Sequence, residues 1–315
     1  MPVLNEERHL RSAVEAILRQ DYPGKFDVCL ALGPSRDGTD DVARELAQRF
    51  ANVRTVPNPT GATPAGLNTA IRATSGEVVV RVDGHAVLPD GYIGRAVRTL
   101  LRTGAVNVGG VQLAEGTTPF ERAVALAMAS PFGMGGARFH TGGQEGPVDT
   151  VYLGVFRRSA IEDVGLFDEK LIRNQDYELN IRLRDAGGVV WFDPELAVAY
   201  RPRPNISTLA RQYFEYGAWK RTVLRMHPGS LRLRQVVPPM AVASIIVALV
   251  LAPWWPVTLV VPGVYAAAVI IASITTGATH GIGSIIRLVR VFPTLHLSWG
   301  FGFLFARLPK ATRPT

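Results

Sequence analysis

Residues 78–92 read VVVRVDGHAVLPDGY. Residues 78–82 form an apolar run with the character of a buried strand, and the run stops at Asp83, with His85 two positions on and glycines close by. An acid and an imidazole at the carboxyl end of a strand can hold a divalent cation, which points to a phosphate-bearing ligand. A plain polar turn is the other reading of the fragment, so the flanking sequence has to decide.

Outward from this stretch, helical and strand periods alternate. Residues 6–20 place Leu10, Ala13, Ile17 and Leu18 on one face, with Asn5 as the expected N-cap. Strands are expected at 26–32, 53–56 and 77–82, with helices from Thr39 or Asp40 and across 64–74. Beyond come a helix at 89–102, a strand at 106–113, a helix at 118–130 and a strand at 151–156. A loop at 174 leads into a helix that Gly187 ends, and VVWFD and LAVAY read as the last strands. This alternation implies an α/β fold with a doubly wound, mostly parallel sheet, whose ligands bind at the carboxyl ends of strands. Asp83 and His85 fall there. The glycine-rich segment 133–146, GMGGARFHTGGQEG, reads as a flexible lid or acceptor-facing loop; His140 within it and Asp149 just before a strand are expected to be solvated, with a place in the acceptor pocket as the other reading. The opening MPVLNEE reads as the loop and helix that follow a first strand, so an apolar strand of about six to ten residues is expected to precede it.

Charge is uneven along the 315 residues. Lys+Arg number 34 against 26 Asp+Glu, a formal +8 that suits an anionic partner. Nucleic acid is the weaker choice, because no binding motif or basic–aromatic repeat accompanies the charge. Residues 201–234 hold seven arginines and Lys220 against the single acid Glu215. From 235 to 286 there is no Asp, Glu, Lys or Arg at all. That length suits two spanning helices, about 236–252 and 257–276, joined by PWWP at 253–256. The basic block before the first span places the N-terminal region on the cytoplasmic side of the cell membrane, and Arg287 and Arg290 return to it. A third apolar stretch, 291–306, is shorter, broken by glycine and followed by Arg307, Lys310 and Arg313. It reads as a helix in the membrane interface, with a third span as the alternative. The opening residues lack a cleavable signal-peptide pattern, and the lone Cys29, inside an apolar strand, reads as a core residue.

PVLNEE, SRDGTD, VDGH, NQDYELN and RQYFEYGAWKR, in this order and followed by apolar spans, resemble the family 2 inverting glycosyltransferases. The likeness is greatest to the membrane-anchored, succinoglycan-type exopolysaccharide glucosyltransferases. The resemblance implies a GT-A catalytic domain over 1–204, an interfacial basic–aromatic region at 205–234 and a membrane region at 235–315. It also implies a nucleotide-sugar donor, a divalent metal (Mn²⁺ or Mg²⁺) and a polyprenyl-linked saccharide acceptor. Contact with membrane lipid and with polysaccharide-assembly proteins would follow.

Residue by residue, Pro2, Leu4 and Glu6 match the segment beside the donor's base and ribose, and Asp37 matches the acid of a turn motif. Asp83 and His85 match the metal-binding D-x-D; His in place of the second Asp favours Mn²⁺ over Mg²⁺ as a direct partner of the ring. Asp176 matches the proposed general base, with Gln175 where the family usually has Glu and Glu178 as a second choice. Gln212 and Trp219 resemble the acceptor part of a Q-x-x-R-W region, and Lys220 and Arg221 its diphosphate-binding cation. The segment ALGPS at 31–35 lacks the acid pair that often reads uracil, so the nucleotide is left open. Polyprenyl-phosphate sugar synthase, a catalytically lapsed membrane scaffold and a nucleotidyltransferase are the competing readings.

Overall fold

The computed structural model describes residues 1–307; Lys310 and Arg313 of the expected basic tail lie outside them. In chain order the elements are β1 (Pro2–Val3), α1 (Leu10–Leu18), β2 (Val28–Leu32), α2 (Thr39–Arg49), β3 (Val53–Pro57), α3 (Thr63–Arg72), β4 (Val78–Val80) and α4 (Tyr92–Thr103). There follow β5 (Asn107–Ala114), α5 (Pro119–Ala129), α6 (Pro131–Met134), α7 (Arg138–Thr141), β6 (Gly146–Pro147), β7 (Tyr152–Arg157), α8 (Arg158–Asp163), α9 (Gln175–Asp185) and β8 (Val190–Tyr200). Four long helices close the chain: α10 (Ile206–Met226), α11 (Leu233–Leu251), α12 (Val260–Gly277) and α13 (Ile282–Phe305). The described residues fall into two compact units, Met1–Leu113 with Gly142–Ala199, and Ala114–Thr141 with residues 200–307.

In the first unit β1, β2 and β3 pair in parallel, with Val28 opposite Val53 and Pro2 opposite Ala31. The opening residues are therefore themselves a strand, a correction to their reading as a loop. Val3 is fully buried, and the backbone nitrogen of Met1 donates to the carbonyl of Cys29 at 2.9 Å. Asn5 does not cap α1. It takes the left-handed conformation (φ 55°) and its side chain accepts from the backbone of Arg36, while α1 begins only at Leu10.

The second sheet, in the order β4-β7-β5-β8-β6, is antiparallel where β7 meets β4 and β5, and where β6 meets β8. Parallel pairing thus holds for the first half of the α/β fold, and the antiparallel β7 is wedged between β4 and β5. The segments expected as two last strands are one, β8. Its Pro194 lies beyond the short β6 pairing at Trp191 and Phe192, where a missing N–H disrupts no bond to that edge.

One core joins β1, β2, α1, α2 and α4 around Leu10, Leu30, Leu46 and Leu100. A second packs Leu67 and Ile71 of α3 with Phe156, Ile161, Phe167, Leu179 and Leu183. Leu179 and Leu183 are among the buried residues of α9, and each such buried leucine contributes roughly 1.5–3 kcal/mol. This anchorage fixes the N-terminus of α9.

In the second unit α5, α10, α12 and α13 share a core that includes Val124, Tyr213, Val269 and Phe292. Leu233–Leu251, Pro256–His280 and Ile282–Phe305 are long and apolar enough to cross a membrane. The third is longer than the stretch 291–306 read from sequence because the helix continues back through Arg290 and Arg287 to Ile282. The glycine-rich segment takes in the end of α6 and all of α7; α5 contacts both and α13 contacts α6. His140 is half-buried there and its ring lies 4.2 Å from that of Phe139, so it is not a solvated loop residue.

Candidate active site

Strand β4 ends at Val80, and the next residue, Arg81, turns its guanidinium into the fold with 9% of the side chain exposed. Its Nη2 donates to Asp83 Oδ1 at 2.9 Å, and its Nη1 is paired with Asp176 Oδ2 at the first turn of α9. One guanidinium therefore bridges two carboxylates that stand 93 residues apart in the chain (176 less 83). Burial opposes the charge of Arg81, but Asp176 and Asp83 outweigh it and hold the group protonated beyond even its ordinary range.

Asp176 experiences the reverse. Burial, helped by the charge of Asp83, pushes its carboxyl above the ordinary range, while Arg81 pulls the other way. Its side chain is 30% exposed overall, yet Oδ1 is closed off from water and has no hydrogen-bond partner. A buried acceptor without a donor costs on the order of 1–3 kcal/mol, and an incoming hydroxyl would relieve it. Glu178, the second-choice base, accepts two bonds of 2.7 Å from Arg182.

The opening residues reach the same corner. Glu6 Oε1 lies 2.8 Å from His85 Nδ1. A side chain at Gly84 would meet Glu6 Cγ at 2.9 Å and the Pro2 carbonyl at 3.5 Å, so PVLNEE and VDGH touch through a glycine. The backbone of Glu6 donates to Thr39 Oγ1 at 2.7 Å, and that hydroxyl donates to Asp37 Oδ1 at 2.5 Å. Asp37 thus acts as a turn and helix-start residue, held below the usual carboxylate range chiefly by the Thr39 hydroxyl. Leu4 stands against Gly33 at the end of β2, where an added Cβ would be 3.0 Å from its side chain.

The remaining expected residues lie in the second unit. Gln212 is buried and donates to the hydroxyls of Tyr200 and Tyr216, each at 3.1 Å. Trp219, about two turns further along α10, is also buried. Lys220 and Arg221 do not present open cations. Lys220 Nζ is buried and bonds the carbonyl and hydroxyl of Ser230 at 3.0 and 3.2 Å. Arg221 donates to the carbonyls of Leu304 and Ala306 at the end of α13. In this structure both groups join elements of the second unit. Burial, then Arg234, pushes His140 down to about 3, so it is a neutral imidazole.

Arg81 was not singled out from sequence. Its signal was present, a single cation inside an otherwise apolar strand, which requires a buried partner; the partner itself sits in another part of the chain.

Among the described residues no cluster of three or more His, Cys, Asp or Glu is arranged to hold a metal. The donor set at the corner nonetheless fits one whose remaining ligands come from a phosphate. Asp83 Oδ2 carries no hydrogen bond to the described residues, and the His85 side chain is 52% exposed. Mg²⁺ and Mn²⁺ are commonly held by one or two protein groups with substrate phosphates completing the shell.

Residues 1–165 match Glycosyl transferase family 2. The chain is a family 2 glycosyltransferase. This glycosyltransferase is 31% identical over 307 residues to succinoglycan biosynthesis protein ExoA of Rhizobium meliloti (strain 1021), covering 96% of the chain and 92% of that relative. It is 28% identical to glycosyltransferase AglE of Haloferax volcanii over 68% of the chain and 69% of that protein. Among solved structures the glycosyltransferase is similar to mannosyltransferase PcManGT from Pyrobaculum calidifontis in complex with GDP-Man and Mn²⁺, with a TM-score of 0.64, 19% identity, and coverage of 93% and 85%. S. aureus TarS 1-349 matches with a TM-score of 0.52, 14% identity, and coverage of 93% and 89%. These structural likenesses establish the GT-A fold of the family 2 enzyme.

Proposed function

We propose that this enzyme transfers one sugar, with inversion, from a nucleotide-diphosphate donor to a hydroxyl of a polyprenyl-linked saccharide in exopolysaccharide or cell-envelope synthesis. The observation that carries the reading is the shared guanidinium: the acid expected beside the donor and the acid expected beside the acceptor, Asp83 and Asp176, are bonded to the same Arg81. Kinship with a succinoglycan biosynthesis protein supports the class of product.

In this mechanism Asp176 accepts the proton of the acceptor hydroxyl at Oδ1, the oxygen that has no other donor. A carboxyl raised by burial is better matched to that task than one at its ordinary value. The hydroxyl oxygen forms its bond to the anomeric carbon as the bond to the diphosphate breaks on the opposite face, so one displacement inverts the centre. Asp83 and His85 would hold a divalent cation, Mn²⁺ or Mg²⁺, which supplies Lewis-acid stabilisation of the departing diphosphate. Arg81 keeps Asp83 and Asp176 in one frame, and Glu6 orients His85. Gln212 and Trp219 are assigned to the acceptor side. Helices α11 and α12 cross the cell membrane, with the catalytic region on the cytoplasmic face by the positive-inside rule.

The test is a screen of nucleotide-sugars on membranes carrying the full chain, with the released nucleoside diphosphate and the anomeric configuration of the product both measured. Asp176→Asn is expected to reduce transfer by a factor on the order of 10²–10⁴. A mild effect would overturn the hydroxyl acceptor in favour of a lipid phosphate, and a retained configuration would overturn the single displacement.

A further inference from the structure

Helix α13 is long enough to cross a membrane, but its contacts tie both of its ends to one side. At the C-terminal end Arg221 donates to the carbonyls of Leu304, at 2.9 Å, and Ala306. The neighbouring Lys220 is bonded to Ser230, immediately before α11 sets out from Leu233. Gly300 packs on the first turns of α11, where an added Cβ would be 2.6 Å from the Pro238 carbonyl. At the N-terminal end Gly277, the last residue of α12, abuts the backbone of Ile285.

Helices α11 and α12 meet at their far tip, where the Thr258 hydroxyl donates to the Ala248 carbonyl at 2.8 Å. With 19 and 18 residues they are each about 27–28 Å long, so α12 returns to the level from which α11 departed. α13 starts beside the end of α12 and finishes beside Arg221, next to Lys220, which bonds Ser230 ahead of α11.

Its side chains form three faces. Leu288, Phe292 and Leu295 are buried in the core shared with α5 and α10. Arg287, Arg290, Thr294 and Ser298 follow one another at intervals of three or four and make a polar stripe. Ile282, Ile286 and Val289 make an exposed apolar face. Crossing the bilayer would carry the exposed guanidinium of Arg290 about two turns into hydrocarbon. The middle of the helix is also held, with His296 bonded to the Phe132 carbonyl of α6 at 2.8 Å and in contact with Tyr265 of α12 at 3.3 Å.

We propose that α13 does not cross, but lies in the lipid headgroup plane on the side from which α11 departs, as a strut between α10 and the α11–α12 pair. Its partner is the bilayer surface: the arginine stripe meets lipid phosphates, and Ile282, Ile286 and Val289 enter the acyl boundary. The strut sets the position of α10. Gly217 and Gly302 bring the two backbones into contact, since a side chain on either would strike the carbonyl of Trp299 or Phe214. The helix carrying Gln212 and Trp219 is thereby fixed at the surface where a lipid-linked saccharide arrives.

This inference rests on α11 and α12 crossing, so the experiment tests the two separately. Trp254→Cys and Arg307→Cys are introduced singly into the full chain and labelled with a membrane-impermeant maleimide, in sealed cells and in inverted vesicles, with detergent-opened membranes as the labelling control. The native Cys29 is buried and serves as the background. Trp254→Cys labelled only from the outer face confirms the crossing pair. Arg307→Cys labelled only from the opposite face then supports the in-plane strut, whereas labelling of both from the outer face would show a third crossing and overturn it. Trp254→Cys labelled from the inner face would instead defeat the crossing of α11 and α12, and the strut's membrane placement with it.

Discussion

Arg81 holds the two acids of the site apart and in register, and its removal has consequences of known sign. The guanidinium lowers the proton affinity of Asp176 while burial raises it. Under the proposed mechanism Asp176 is the base and must be ionised, so transfer would be lost as pH falls through its folded-state value. Arg81→Met removes the lowering influence and is expected to move the acid limb of the pH–rate profile to higher pH; Arg81→Lys restores part of the difference. A limb that stays in place in Arg81→Met would disconnect Asp176 from the profile. The same variant leaves two carboxylates without their buried partner, a loss of about 3 kcal/mol or more in denaturant unfolding. Gly84→Ala is subtler. Its Cβ would displace Glu6, and the expected result is weaker Mn²⁺-dependent binding of a nucleoside diphosphate with little change in melting temperature.

At the scale of elements, α5 carries an acid-sensitive fastening. Thr118 and Glu121 form a capping box, and the Thr117 hydroxyl at 2.6 Å, then the Thr118 N–H, hold the buried Glu121 down to about 2. A depressed carboxyl contributes stability above its unfolded value, and that contribution disappears as pH falls toward about 2. Glu121→Gln should therefore be less stable than the parent chain near neutrality, with the two acid-unfolding curves converging at the low end. Parallel curves throughout would contradict this.

Much at this scale was legible in the sequence, and particular residues explain what was not. The apolar stripes of α3 and α9, the strand ending ahead of Asp83 and the charge-free run from 235 each state their own environment, because burial imposes a local period. Asp176 is expected at the site through the family resemblance, whereas the period alone shows only an acid at the start of a helix. Pairings made across the chain leave no such trace. The insertion of β7 between β4 and β5 depends on partners far away, as does the bond from Arg81 to Asp176. Lys220 and Arg221 looked like open cations because a sequence does not reveal that Ser230 and the end of α13 occupy them.

For the whole molecule, a bound donor should be visible as stability. At a concentration about one hundred times its dissociation constant, a nucleoside diphosphate with Mn²⁺ would add about 2.7 kcal/mol to the folded state. The measurable outcome is a concentration-dependent rise in melting temperature in detergent, expected with metal and much reduced with chelator. Three apolar helices further predict that the protein stays with the membrane through salt and alkaline carbonate washes and leaves it only with detergent.

The meeting of Gly217 and Gly302 has an implication for altering what the enzyme accepts. Two helices in backbone contact cannot rotate or slide independently, so α10 and α13 behave as a single rigid lever. With Gln212 and Trp219 serving the acceptor as proposed, a changed preference would have to come from exchanging the side chains that α10 displays, while bulk introduced along the seam would pry the lever apart and forfeit every acceptor alike.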